Sequence, residues 1–277
     1  MGRMHISTFS MQILLFASVF AVINASDDHR MEVEDEHPFT YVGESEKGPK
    51  KWGQLNPEWQ ICENGKRQSP INLVHAKSSP SPSLGKLKKT YKPAHAVIKN
   101  RGHDIMVAWR GDAGGVVING TEYKLVQCHW HTPSEHRVNG RSLNMEFHMV
   151  HNNSQGHIAV VGILYTLGRP DTFLEKFLEH ITSLVGEEGI DLGIVSPRDI
   201  KFGSRKYFRY MGSLTVPPCT EGVIWTIIDK VRTVSREQIR ALRNAVHDGF
   251  EENARPPQPW GGRNIYLYGP ARINGTA

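Results

Sequence analysis

Alternation of apolar and polar positions dominates the middle of the chain. Tyr123 to His131 (YKLVQCHWH) and Asn144 to His151 (NMEFHMVH) alternate. This predicts half-buried strands, because successive side chains of a strand point to opposite faces. Val97-Ile98 and Ile105 to Trp109 are shorter apolar runs that also read as strands. Ile158 to Tyr165 (IAVVGILY) and Val223 to Ile228 (VIWTII) are almost continuously apolar, as expected of strands buried on both faces. Helical spacing occurs at two places. Phe173, Phe177, Ile181 and Leu184 fall on one helical face. Ser235-Arg-Glu-Gln238 is a capping-box start, followed by Ile239, Leu242, Val246 and Phe250 on one face. The pattern predicts a mainly β single domain with peripheral helices. Beyond Trp52 there is no linker and no internal repeat, and the Pro/Ser stretch Ser78 to Ser83 reads as a loop inside that domain.

The N-terminal region differs. Arg3 and His5 precede an apolar stretch, Met11 to Ile23, which ends near the small residue Ala25. It is shorter than the roughly 20 residues that span a bilayer. A secretory signal peptide over residues 1–25 is expected, so the mature chain carries no membrane span. Residues 26–46 are acidic and lack periodic apolar positions, which predicts a disordered arm ahead of a domain over 47–277. Asn119-Gly-Thr121, Asn152-Asn-Ser154 and Asn274-Gly-Thr276 are N-glycosylation acceptors, in keeping with a secretory route. Three cysteines exclude a disulfide scaffold. They permit one disulfide and one remaining thiol, with three pairings open. The net charge of +5 is not concentrated in any long basic run, which argues against a nucleic-acid partner.

The chain has 14 histidines, and their clustering is the main chemical signal. On alternation, Gln127, His129 and His131 share one strand face, while Cys128 and Trp130 point the other way. Glu146, His148 and Val150 share a face of the second strand. If the two strands are neighbours, His129, His131 and His148 converge. Three neutral imidazoles with a fourth position open are the catalytic zinc pattern. Gln127 and Glu146 are placed to accept the outer N–H of His129 and His148. A cupin-like reading, with Glu135 as a fourth ligand to manganese or iron, is weaker. The chain lacks that family's Gly before the first His and its Pro-x-Gly before the last.

Ordered motif blocks then extend the picture. They include Trp52-Gly53, Gly65-Lys-Arg-Gln-Ser-Pro-Ile71, Asn100-Arg-Gly-His103 and Gln127-Cys-His-Trp-His131. Further along come Ser134-Glu-His136, Glu146-Phe-His148, Gly212-Ser-Leu-Thr-Val-Pro-Pro-Cys219, Trp225 and Asn253-Ala-Arg-Pro256. With these the chain resembles the α-class carbonic anhydrases, and is most similar to plant members targeted to the secretory route or the plastid. The resemblance implies a large twisted, mostly antiparallel sheet of about ten strands. It implies zinc-dependent reversible hydration of carbon dioxide, with His129, His131 and His148 as zinc ligands and Asn253 in their support. Thr215 and Glu135 would orient the attacking hydroxide, and His103 would shuttle the proton. Val150, Val160, Leu214, Val223 and Trp225 would form the apolar wall for carbon dioxide. Val216 joins that substrate site where many members carry a hydroxyl or imidazole. Arg101 and Met106 occupy positions that are often polar. Cys62 and Cys219 would form the disulfide, leaving Cys128 as the thiol.

The resemblance further implies a small-molecule substrate (carbon dioxide or bicarbonate) and a monomer or dimer. The expected destination is the extracellular space or apoplast, or alternatively the chloroplast stroma reached through the secretory route. The alternative from a different class is a silent relative serving in storage or binding. Such relatives usually lose a zinc histidine or the Thr/Glu pair, and all of these are present here.

Overall fold

The computed structural model describes residues 39–184, 189–246 and 249–269. The expected signal peptide, most of the expected arm and Asn274 lie outside the described residues. Fourteen strands are described. In chain order they begin with β1 (Asn72–Leu73), β2 (Ser79–Pro80), β3 (Lys88–Lys89), β4 (Ala94–Asn100) and β5 (Ile105–Arg110). Then come β6 (Gly115–Ile118), β7 (Thr121–His131), β8 (Arg137–Val138), β9 (Met145–Asn152) and β10 (Ile158–Leu167). The last four are β11 (Ile190–Val195), β12 (Tyr207–Ser213), β13 (Glu221–Val234) and β14 (Tyr266–Tyr268). The α-helices are α1 (Trp52–Leu55), α2 (Ile61–Asn64), α3 (Leu178–Ser183) and α4 (Arg236–Ala245).

The main sheet has 12 strands where about ten were expected. The surplus lies in two-residue pieces such as β2 and β3. Its order is β11-β4-β5-β7-β9-β10-β13-β12-β14-β2, with β6 pairing β7 and β3. Pairing is antiparallel except for β10 with β13 and β14 with β2. The continuously apolar run at Ile158 is the central strand β10, whose first eight residues are all buried between β9 and β13. The pleat separates two cores. Cys128, Trp130, Phe147 and Met149 pack on one face with Phe173, Phe177, Ile181 and Leu242 from the helical segments. Val150, Val160, Leu214, Val223 and Trp225 belong to the second core.

The helical expectations need adjustment at their ends. The face Phe173–Leu184 divides into a 3-10 turn, Leu174–Phe177, and then α3. The Asp171 carboxylate accepts from the backbone N–H of Phe173 and Leu174, which begins the turn tightly. The capping box at Ser235 is formed, but α4 stops at Ala245. Val246 and Phe250 continue the apolar pattern as buried non-helical residues.

The arm is a correction. Residues 39–46 are described, and Phe39 is only 2% exposed. Its ring meets Trp52, Trp59, Tyr41 and Phe250 edge-on at 5.2–6.4 Å. The Trp52 indole N–H donates to the carbonyls of Thr40 and Lys47. Two aromatic side chains thus dock a segment whose acidic composition suggested none. Their partner Phe250 lies more than two hundred residues away in sequence, so no local pattern marks the contact.

Cys62 and Cys219 are joined across 157 residues, and Cys128 is a buried free thiol, which selects one of the three pairings left open by counting. The docked segment generates a clear expectation. Phe39→Ala should cost about 3–5 kcal/mol in denaturant unfolding, the usual range for emptying a buried phenylalanine site. An undocked arm would tolerate the change within about 0.5 kcal/mol.

Candidate metal centre

The centre is built on one strand pair. Past an irregularity between Leu125 and Gln127, β7 and β9 pair in strict antiparallel register. Gln127 lies opposite Val150, His129 opposite His148, and His131 opposite Glu146. Residues directly opposite in such a pair have Cβ atoms about 4.5–5.5 Å apart, so the rings meet. The His129, His131 and His148 ring centroids are 4.6–5.2 Å from one another. One nitrogen from each falls within a 4.8 Å cluster, and all three residues are buried.

The outer nitrogens show which atoms face inward. His129 Nδ1 lies 2.8 Å from Gln127 Oε1. His131 Nδ1 lies 2.7 Å from the Asn253 carbonyl. His148 Nε2 lies 2.9 Å from Glu146 Oε1. Each outer nitrogen therefore donates, which leaves Nε2 of His129 and His131 and Nδ1 of His148 as lone-pair donors toward the centre. His131 Nε2 is buried with no hydrogen-bond partner. An acceptor nitrogen desolvated in this way is costly unless a cation takes its lone pair, and a three-imidazole donor set suits zinc. Burial holds the His129 imidazole well below its usual pKa, in the neutral form a ligand needs.

Several supporting residues were not assigned from sequence. Glu146 bridges two histidines: Oε1 also accepts from His136 Nδ1 at 2.7 Å, and Oε2 from the His136 backbone N–H at 2.7 Å. Burial alone would raise this carboxyl, but His136 and His148 outweigh it and hold it well below the usual range. His136 Nε2 reaches the Tyr210 hydroxyl at 2.7 Å, which reaches Ser69 Oγ at 2.8 Å. Gly162 lies opposite His148 on the neighbouring strand. A Cβ there would stand 2.5 Å from Ile227 Cδ1 and 3.1 Å from Glu146 Oε1. An isolated glycine inside the run IAVVGILY was the available signal for such a close approach.

Glu135 is buried beside the three imidazoles. Its Oε1 accepts from the Arg255 backbone N–H at 2.9 Å, and its Oε2 is 3.6 Å from His131 Nε2 and 4.0 Å from His148 Nδ1. Thr215 lies near enough to this carboxyl to favour its ionised form, while Glu135 Oε2 is buried with no hydrogen-bond partner. Burial pushes Glu135 up to about 7, against the pull of His131, Thr215 and the Arg255 N–H and with a push from Glu146. A cation at the centre would draw it down again. Thr215 follows β12 in a turn closed by the Cys219 N–H to the Val216 carbonyl, and the disulfide ties that turn to α2. Asn253 braces the far side. Its Oδ1 accepts from the Thr132 N–H, and its Nδ2 donates to the carbonyls of His103 and Trp130.

The apolar residues divide. Val150, Val160 and Trp225 stand in consecutive register across β9, β10 and β13, with Leu214 and Val223 in the same cluster. Val216, expected in the substrate site, instead packs in the other core together with Cys62 and Cys219. The turn after Thr215 directs the next side chain away from the wall.

His103 is a second correction. It was expected to exchange protons with buffer, but it is 0% exposed. The Phe39 ring covers it at 5.5 Å between centroids, and its Nε2 is 3.8 Å from Asp104 Oδ2. Arg101 forms a buried bidentate pair with Asp104 at 2.8 and 2.6 Å, so its charge is locally neutralised. Met106 is buried opposite His129. Of the acceptor asparagines, Asn119 is exposed in the turn between β6 and β7, and Asn152 ends β9.

Comparison with known proteins agrees with this geometry. A family profile described as eukaryotic-type carbonic anhydrase matches residues 47–269. Alpha carbonic anhydrase 4 of Arabidopsis thaliana is 54% identical over 247 residues, covering 89% of this chain and 91% of that relative. Among solved structures, dioscorin complexed with ascorbate superposes with a TM-score of 0.81 at 41% identity, covering 83% of this chain and 97% of that one. The α-carbonic anhydrase from Thermovibrio ammonificans, in complex with the inhibitor sulfanilamide, gives 0.74 at 35% identity over 82% of this chain and 98% of its own.

The outer hydrogen bonds predict a measurable effect on metal affinity. Gln127→Leu should weaken zinc binding about 10–100-fold in competition with a chromophoric chelator. An unchanged affinity would show that the Gln127 contact does not orient His129.

Proposed function

The chain belongs to the eukaryotic-type carbonic anhydrase family, and on that premise we propose that it interconverts carbon dioxide and bicarbonate with zinc held by His129, His131 and His148. The supporting observation is the convergence of three buried imidazoles whose outer nitrogens are all engaged by acceptors. Carbonic anhydrase is itself the standing example of this three-imidazole set. A zinc ion there supplies a Lewis acid that makes a nucleophilic oxygen available near neutral pH. Neutral imidazoles leave the positive charge of the site undiminished, which a carboxylate or thiolate would partly cancel.

The protein groups then direct the attack. In this reading the Thr215 hydroxyl donates a hydrogen bond to Glu135, so its oxygen can only accept one from the attacking oxygen. That constraint turns a lone pair of the nucleophile away from Thr215 and toward the substrate. Ionised Glu135 is required for the arrangement, and the Arg255 N–H and the positive centre both favour it. Val150, Val160, Leu214, Val223 and Trp225 offer an apolar surface to a substrate that is small, neutral and poorly solvated by hydrogen bonding. His103, enclosed beneath Phe39, has no contact with buffer in this arrangement and is read as a core residue. A storage or binding role without chemistry is disfavoured, because the three histidines and the Thr215–Glu135 pair are intact and brought together.

Secretion is the reading we place on the N-terminal segment, supported by the disulfide, which persists in oxidising compartments. The extracellular space and a plastid reached by the secretory route both satisfy it. Asn119 and Asn152 are the described candidates for glycosylation. Among the described residues, no helix is long and apolar enough to cross a membrane. A monomer or dimer is the proposed assembly.

Purified mature protein should catalyse carbon dioxide hydration that a zinc-binding sulfonamide abolishes, and His131→Ala should reduce it to the buffer rate. Wild-type protein with no inhibitable hydration would falsify the reading. Thr215→Val removes one hydrogen bond to a charged oxygen, about 1.5–3 kcal/mol, and should lower kcat/KM about 10–150-fold with zinc retained. His103→Ala should turn over like wild type in weak buffer. A gain on adding imidazole confined to that variant would instead put the ring on the proton path.

A further inference from the structure

A cavity of about 480 Å³ lies between the β6–β7 turn, the β12–β13 pair and the loop that precedes β14. Its size is within the range of small-molecule sites, roughly 300–1,000 Å³. Ile118, Met211, Ile224 and Tyr266 supply apolar wall, and no carboxylate lines it. Met211 and Tyr266 are 40% and 37% exposed, two of only five large hydrophobic side chains so exposed among the described residues. None of the metal-centre histidines borders it.

Arg209 in its wall is the anomaly. The residue is 8% exposed, yet no acidic group of the described residues pairs with it. Its one hydrogen bond runs from Nε to Thr226 Oγ1 at 3.1 Å, and the guanidinium lies 5.2 Å from the Tyr207 ring centroid. The other two buried arginines have protein partners for their terminal nitrogens, although Arg255 Nε has none. Arg101 pairs with Asp104, and Arg255 spends its terminal nitrogens on Gln68 Oε1 and the carbonyls of Ser69 and Cys62. Buried charges are normally paired, because desolvation without a partner is costly. Burial accordingly lowers the pKa of Arg209.

Two further cations line the cavity, Arg67 on its exposed rim and Arg263. Arg263 is held by the carbonyls of Trp260, Met211, Gln68 and Pro259. Glu221, which accepts from the backbone N–H of the lining residue Arg67, also accepts from Gln68 Nε2. Arg209 is the one lining cation that is both buried and without an acidic partner among the described residues, and a single buried guanidinium fork matches the two oxygens of one carboxylate. We propose that this cavity is a binding site for a small organic carboxylate, its carboxylate on the Arg209 terminal nitrogens and its apolar body against Ile118, Met211 and Tyr266.

The test is calorimetric titration of benzoate into the mature holoprotein, with sulfanilamide saturating the metal centre so that benzoate cannot bind there. Wild type should show one saturable benzoate site, with acetate binding at least tenfold more weakly because it lacks the apolar body. Arg209→Met should weaken benzoate at least tenfold while its thermal midpoint stays level or rises, since an unpaired buried cation is removed. A purely structural arginine would lower that midpoint. Met211→Trp fills the cavity with Arg209 in place and should weaken benzoate to the same extent, which covers the case of a poorly folded Arg209 variant. The proposal is overturned if benzoate gives no saturable heat once sulfanilamide is bound, or if acetate matches benzoate. It is equally overturned if folded variants, checked by circular dichroism, bind benzoate like wild type.

Discussion

The backbone register between β7 and β9 is the constraint on which the centre depends. Side chains in a strand alternate with a period of two, so a slip of one residue exchanges the two faces. A slip of β7 would carry His129 and His131 into the aromatic core now filled by Trp130 and Phe147, away from His148. It would put Cys128 and Trp130 where the imidazoles stand. The register is held because both faces are filled by opposite demands. One face must bury Cys128, Trp130, Phe147 and Met149, and the other must bring three imidazoles together. β10 locks the pair from the side, being apolar on both faces and shared between β9 and β13.

Burying so many polar groups then dictates the surroundings. Each outer imidazole nitrogen needs an acceptor, and the acceptors come from three different places in the chain: Gln127 on the same strand, Glu146 on its partner, and Asn253 near the C-terminal end. Glu146 in turn is stabilised by His136, and His136 by Tyr210. Glu135 requires the Arg255 backbone, which joins the same C-terminal segment to the centre. Unsatisfied buried polar groups are expensive, so a network of this kind works as a unit. Gly162 shows the steric side of the same demand, since any side chain there would collide with Ile227 and crowd Glu146.

Two departures share one physical origin. Phe39 docks onto Trp52, Trp59 and Phe250, and in docking it encloses His103. The aromatic contacts that extend the domain toward the N-terminus thus remove a histidine from solvent. Val216 departs for a local reason, the turn that aims Thr215 at Glu135 and the following side chain into the other core.

Strand alternation by itself determined which histidines share a face, that Cys128 and Trp130 do not, and that Gln127 and Glu146 stand beside their imidazoles. These are consequences of local covalent geometry, and two residues of spacing are enough to state them. The capping box at Ser235 was legible for the same reason. The family resemblance already implied the Cys62–Cys219 pairing and the part of Asn253, but only the tertiary structure decided that β7 and β9 are neighbours, that His136 and Arg255 join the network around the centre, and that His103 lies beneath Phe39. Each of these joins residues far apart in sequence, or depends on which of several buried surfaces a side chain completes. Such choices follow from packing and from the need to satisfy every buried polar atom, and neither leaves a periodic trace along the chain.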